Sequence, residues 1–273
     1  MDGTKLRDVR PLWSIGLPVG CFIACLAAAI ANPEFYKMHV RRHETGVIEQ
    51  ATVISLVPAA VMGVLAIRRR GALPRRWLAA WCLVITAGAV YFAGEECSWG
   101  QNYFRWATPE QWSQFNDQNE TNLHNTSGLF DHLPRALLSV AAAACAVVPL
   151  VLGRRLGRRD PRKNWWVWIL PTTAVVPAAA MAILIGLPQR IHSTYDKHVV
   201  EQTWYSEMLF AGRHSELKEL LLALFILMYL WSFATRLRSI AEPRELSHAS
   251  VESPSGGRVA PSANPAQANS AAA

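Results

Sequence analysis

Apolar and polar positions alternate along the chain in long blocks. Six apolar runs cover residues 12–31, 51–67, 77–94, 136–152, 165–187 and 217–234. Each approaches the roughly 20 residues that a helix needs to cross a hydrocarbon core. The pattern predicts an all-α polytopic membrane protein, with about six transmembrane helices in one domain over residues 1–241. The last run is the weakest, because Lys218 and Glu219 fall in its first turn. The first follows Lys5, Arg7 and Arg10 but is too long for a signal core and lacks a small-x-small site, so it reads as a retained helix. From Glu242 onward Pro, Ser, Ala, Asn and Gly dominate, which predicts a disordered tail over 242–273.

The polar blocks orient these helices. Lys and Arg near span ends favour the cytoplasmic side, and 18 of the 27 basic residues collect in the N-terminus, in "RRRGALPRRW", in "GRRLGRRDPRKNW" and in the C-terminal tail. Both termini are therefore expected in the cytoplasm of a bacterial inner membrane. Composition fits: 51% of residues are hydrophobic against 17% charged. The net charge of +7 follows from topology and anionic headgroups, which leaves no nucleic-acid signal. Trp13, Trp77, Trp165, Trp166 and Trp231 lie near span ends, where amphipathic rings settle. The five cysteines form no ligand or disulfide pattern and read as small packing residues, including Cys97.

Titratable chemistry collects on the other, outer side, with seven of eight histidines and fourteen of twenty acidic residues. The connection over about 95–134 is long and rich in aromatic residues, so it is expected to be structured. Within it, "TPEQWSQF" reads as a short helix capped by Thr108, with Pro109 at its first position and Gln111 closing a capping box. If the third span continues through "GEECSWGQNYF", then Glu95, Ser98, Gln101, Asn102 and Arg105 share one face and Glu96 points about 100° away. Glu95 would then face a polar cavity while Glu96 pairs with Arg105 or a loop cation, since carboxylates at a span end need a partner, an ion or water.

Imidazoles and carboxylates recur beside each other in these outer segments. "NDQNETNLHN" holds Asn116, Asp117, Asn119, Glu120, Asn122, His124 and Asn125, followed by Asp131 and His132. On a helix, His192 would neighbour Asp196 and His198 would face Glu201 and Gln202; His214 and Glu216 open the last span. A carboxylate beside an imidazole can orient it as a ligand or a base. No GxSxG elbow, HExxH, phosphate-binding glycine loop or dinucleotide fingerprint occurs, and no pair of histidines lies within facing spans for haem.

"GEECSWGQNYFRWATPEQW" together with "NETNLHN" resembles an uncharacterised family of bacterial inner-membrane proteins. That family carries a Glu-Glu-x-Ser-Trp-Gly-Gln motif, a Thr-Pro-Glu helix and a Glu-Thr-Asn-Leu-His-Asn motif. The resemblance covers residues 94–125. It implies membrane location and a special role for Glu95, Glu96, Ser98, Trp99, Gln101, Glu120, Asn122 and His124, and it names no reaction. A looser similarity links the chain to helical membrane hydrolases of the alkaline ceramidase and adiponectin-receptor type. The chain lacks their Ser-x-x-x-His and His-x-x-x-His spacings, so only the idea of a zinc site in a bundle carries over.

The leading expectation is a metal-dependent hydrolase or transferase acting at the outer leaflet on a lipid or lipid-linked substrate. A divalent metal, zinc foremost, would sit on His124 with His192, His198 or His214. Glu95 or Glu96 would be ligand or general base, with Ser98 beside them. Trp99, Gln101, Asn102, Glu120, Asn122 and Asp196 would supply substrate contacts or support. The alternative is a non-enzymatic membrane protein that transports a solute, binds a ligand or meets a partner through the same polar chamber. In a third reading these residues are a folding scaffold for the long loop.

Overall fold

The computed structural model describes residues 6–40, 46–113, 120–123, 126–156, 159–187 and 215–241. The chain divides into two units, Met1–Ala241 and Glu242–Ala273, and every described residue belongs to the first. The expected disordered tail therefore lies outside the described residues. All regular structure described is helical. Six segments are long and apolar enough to cross a membrane: Pro11–Ala31, Val47–Arg68, Trp77–Glu96, His132–Gly153, Trp166–Leu184 and Ser215–Ala241.

The helices are α1 (Pro11–Ala31), α2 (Pro33–Phe35), α3 (Val47–Arg68), α4 (Trp77–Glu96), α5 (Gln101–Phe104), α6 (Glu110–Ser113), α7 (Gly128–Leu156), α8 (Trp166–Ile169), α9 (Val176–Leu184) and α10 (Ser215–Ala241). The starts of α3, α7 and α10 and the end of α4 form a glutamate end. The arginines of 68–76 and 159–162 mark the opposite, arginine end.

The weakest run of the sequence is the centre of this bundle. α10 is buried without interruption from Leu220 to Leu230, and it packs on α3, α4, α7 and α9. Its sequence is apolar on every face, the pattern of a helix surrounded by others. Glu219, which weakened the reading, is buried and pairs with Arg135 of α7 at 3.0 Å.

Small residues bring α3 and α4 together. α3 turns Thr52, Leu56, Ala59, Gly63 and Ala66 inward, and α4 answers with Leu78, Cys82, Thr86 and Ala89. At Gly63 the fit is tight: a Cβ there would stand 2.0 Å from Thr86 Oγ1. Thr86 donates to the Cys82 carbonyl at 2.7 Å, which satisfies its hydroxyl within its own helix. Lipid tails are as apolar as leucine, so this close approach, rather than removal from water, holds the pair together. The far faces carry exposed Ile54, Val57, Val61, Val64, Leu83, Val84 and Val90, as lipid contact requires.

The fifth span departs from the single run the sequence predicts. It is α8, a break at 170–172, a 3-10 turn over Thr173–Val175, and then α9. Pro171 lacks an N–H and forces Leu170 into extended backbone, which ends α8. The carbonyls freed by the break find donors on α10. The Tyr229 hydroxyl donates to Ile169 O at 2.8 Å and accepts from Trp81 Nε1 at 2.9 Å. The buried guanidinium of Arg236 donates to Val167 O and lies over the Trp168 ring, 5.6 Å from its centroid. A cation set against helix-terminal carbonyls complements their partial negative charge, which accounts for an arginine only 3% exposed.

Candidate functional site

The third span stops where the sequence pattern let it run on. α4 ends at Glu96, and Ser98, Trp99 and Gly100 follow with φ of 46°, 56° and 100°. Three consecutive left-handed residues reverse the chain, so the expected shared face of Glu95, Ser98, Gln101, Asn102 and Arg105 does not form. Two of the three are not glycine, a conformation that costs on the order of 1 kcal/mol or more per residue and persists only where its surroundings hold it. Gly94 makes room for the fold-back: a Cβ there would meet the Trp99 ring at 2.9 Å.

Glu95 is what holds it. The carboxylate is 5% exposed; Oε1 accepts from Trp99 Nε1 at 2.8 Å and Oε2 accepts from the Leu123 N–H at 2.7 Å. One side chain thus fixes both the turn and the loop that returns over it. Ser98, 1% exposed, donates to Glu120 Oε2 at 2.9 Å and accepts from Asn122 Nδ2 at 3.1 Å. The fully buried Asn122 also donates to Glu120 Oε2. Gln101 Oε1 accepts from both the N–H and the hydroxyl of Thr121 at 2.6 Å, and its Nε2 donates to Thr108 Oγ1 at 2.8 Å. The Thr108 oxygen expected to cap a helix is thereby drawn toward Gln101; α6 still forms, over Glu110–Ser113. Tyr103 donates to Gln50 Oε1 at 2.6 Å and ties the turn to α3. Asn102 is half-buried on α5.

Glu96 has different company. It lies within electrostatic reach of Glu219, Glu216 and Glu49, and the cation acting on it is Arg135 rather than Arg105. Arg105 is exposed, at the left-handed residue that ends α5. Glu49 in the first turn of α3, Glu96 at the last of α4, and Glu216 and Glu219 in the first turns of α10 thus make a cluster of carboxylates from three helices. Glu49 and Glu216 are each 9% exposed and Glu219 is 6% exposed. Glu49 Oε2 is buried with no hydrogen-bond partner among the described residues, and Glu216, Glu120 and Glu219 act on it electrostatically.

Sequence reasoning passed over Glu49 and Arg135. The signal for Glu49 was present: a glutamate just before an apolar run, on the face that also carries Thr52 and Leu56. Nothing local marks Arg135, whose partner is distant in sequence.

Of the expected metal ligands, His124, His192, His198 and His214 lie outside the described residues, as does Asp196. Among the described residues no group of three or more His, Cys, Asp or Glu side chains is arranged to hold a metal ion. His39 and His132 are described and exposed. Burial pushes the Cys97 thiol above its ordinary pKa, and the thiol donates weakly to Gly94 O at 3.6 Å, as a packing residue would. Comparison with protein-family models, with curated proteins and with solved structures finds no match to this chain.

Proposed function

We propose that the carboxylate cluster of Glu49, Glu96, Glu216 and Glu219 lines a chamber in which this polytopic membrane protein binds the cationic group of a small solute or lipid headgroup. This is the non-enzymatic reading of the polar end, transport or ligand binding. The observation that carries it is Glu49 Oε2, a buried carboxylate oxygen without a hydrogen-bond donor among the described residues. A buried acceptor left unsatisfied costs about 1–3 kcal/mol, and more when charged. Like charges crowded at a span end need a neutralising partner. Arg135 offsets part of the charge, being engaged with Glu219.

A primary ammonium fits the unsatisfied oxygen of Glu49, since it brings one positive charge and three rotatable donors. A chelated metal fits it less well. Metal ligation asks for donor atoms within about 2–2.6 Å of one point, whereas the described acidic side chains are neighbours without that convergence. In this reading Glu95, Ser98, Gln101, Glu120 and Asn122 are the frame that folds the loop beside the chamber. The exposed aromatic rings of Trp99, Tyr103 and Phe104 support a position of that loop at the membrane interface, within reach of headgroups. The resemblance to a bacterial inner-membrane family is consistent with such a role, and so is an outward-facing chamber.

The test is calorimetric titration of ethanolamine and putrescine into the protein in phosphatidylcholine nanodiscs, with elemental mass spectrometry on the same preparation. Saturable amine binding that disappears in folded Glu49→Gln and Glu96→Gln supports the reading. Absence of saturable binding overturns it. Near-stoichiometric zinc lost in His124→Ala would replace it with the metal-dependent hydrolase or transferase.

A further inference from the structure

The arginine end carries an open pocket apart from the carboxylate cluster. Its cavity is about 590 Å³, within the range of small-ligand clefts. Arg75 reaches it from the connection before α4, and Arg159 and Lys163 from the connection before α8. Asp160 and Asn164 lie between these cations, and the indoles of Trp165 and Trp166 form an apolar wall. Three basic side chains against one carboxylate leave the pocket positive.

Basic residues beside a span end are ordinarily solvated and report only topology. Here the turn that carries Arg159 and Lys163 is ordered, while the three basic side chains themselves are exposed. The Arg162 N–H donates to Asp160 Oδ1 at 2.9 Å, the Asn164 N–H to Asp160 O at 3.0 Å, and the Trp166 N–H to Asn164 Oδ1 at 3.0 Å. Asp160 Oδ1 and Asn164 Oδ1 thus shape the turn. The turn is in turn pinned to the core: Trp168, fully buried on α8, donates from Nε1 to Pro161 O at 2.8 Å. Trp165 stacks on Trp166 at 3.8 Å and meets Trp77 of α4 edge-on at 5.4 Å, which couples the two connections that supply the cations. The turn beneath the pocket therefore needs no ordering on binding, and the cost falls on the three basic side chains.

We propose that this pocket is a binding site for the headgroup of an anionic phospholipid. Guanidinium and ammonium groups are the donors that phosphate oxygens take. Tryptophans at headgroup depth give the glycerol and upper acyl carbons an apolar surface, and basic pockets between transmembrane helices hold anionic headgroups in just such positions. A free phosphate offers the same oxygens without the chains, so the two sources differ in what the tryptophan wall contributes.

The experiment is native mass spectrometry of the full chain in detergent, titrated with phosphatidylglycerol, phosphatidylcholine, glycerol phosphate and inorganic phosphate. One variant is Arg159→Gln with Lys163→Gln; the other is Arg75→Gln, on the separate connection and away from the Asp160 turn. Phosphatidylglycerol should bind at least tenfold more tightly than phosphatidylcholine, and millimolar inorganic phosphate or glycerol phosphate should not displace it. Affinity should fall about fivefold for each basic side chain removed, in both variants. Equal binding of the two lipids overturns the proposal, as does phosphatidylglycerol affinity unchanged in both variants. Displacement by millimolar inorganic phosphate overturns it in favour of a soluble anion site.

Discussion

Replacing Glu95 by Gln keeps the length of the side chain and exchanges one acceptor oxygen for an NH2 group. In the native chain Oε1 accepts from Trp99 Nε1 at 2.8 Å and Oε2 accepts from the Leu123 N–H at 2.7 Å. Whichever way the amide turns, its NH2 faces a donor. The substitution therefore loses one charge-assisted hydrogen bond, worth about 1.5–3 kcal/mol, in a position only 5% exposed, where water restores little. Trp99 is 48% exposed and can turn its indole outward, so the amide is expected to keep Leu123 and release Trp99. The net cost should be about 2 kcal/mol. Neutral interhelical hydrogen bonds in bilayers average only about 0.6 kcal/mol, so this value tests whether a carboxylate acts here. Trp99→Phe removes the same bond from the other side. Equilibrium unfolding of the two single variants and the double variant in mixed micelles, followed by far-UV circular dichroism, closes the cycle, with an expected coupling of about 1 kcal/mol. A Glu95→Gln variant within about 0.5 kcal/mol of wild type, or strictly additive effects, would refute the view that this bond holds the left-handed turn.

Gly63→Ala forces a methyl against Thr86 Oγ1 and should lower stability by about 1–3 kcal/mol; adding Thr86→Ala should recover part of that loss in the same thermal unfolding assay. Cys97 should react slowly with N-ethylmaleimide in a variant in which the other four cysteines are replaced by alanine. Because burial raises its thiol pKa, the thiolate fraction is small at neutral pH, and the rate should still be climbing through pH 9. A rate that levels off below pH 8.5 would contradict that environment.

The spans were legible because apolar run length follows directly from bilayer thickness, and the separation of an arginine end from a glutamate end was legible because charge marks the connections. Two features of the fold were harder to read. The break in the fifth span is announced by Pro171 but disguised by the apolar residues around it, since Tyr229 and Arg236 supply its donors from a distant helix. The central place of α10 was masked by Glu219, whose cost is met by Arg135. In the quoted motif, the helical period gives a geometry that the structure does not have. A helical period cannot foresee positive φ at Ser98 and Trp99, because the strain is held by tertiary bonds from Glu95 and by the space that Gly94 leaves. Glu49 escaped notice for the same reason that it matters: it sits alone in its own segment, and only the packing of α3, α4 and α10 gives it acidic company.

Adjacent glutamates with separate tasks are the core of this account, and ethanolamine titration of Glu95→Gln beside Glu96→Gln in nanodiscs addresses it most directly. Glu95→Gln should be the less stable protein yet bind the amine with wild-type affinity per folded molecule, while Glu96→Gln should fold and lose the binding. Amine binding lost in Glu95→Gln and retained in Glu96→Gln would contradict the account.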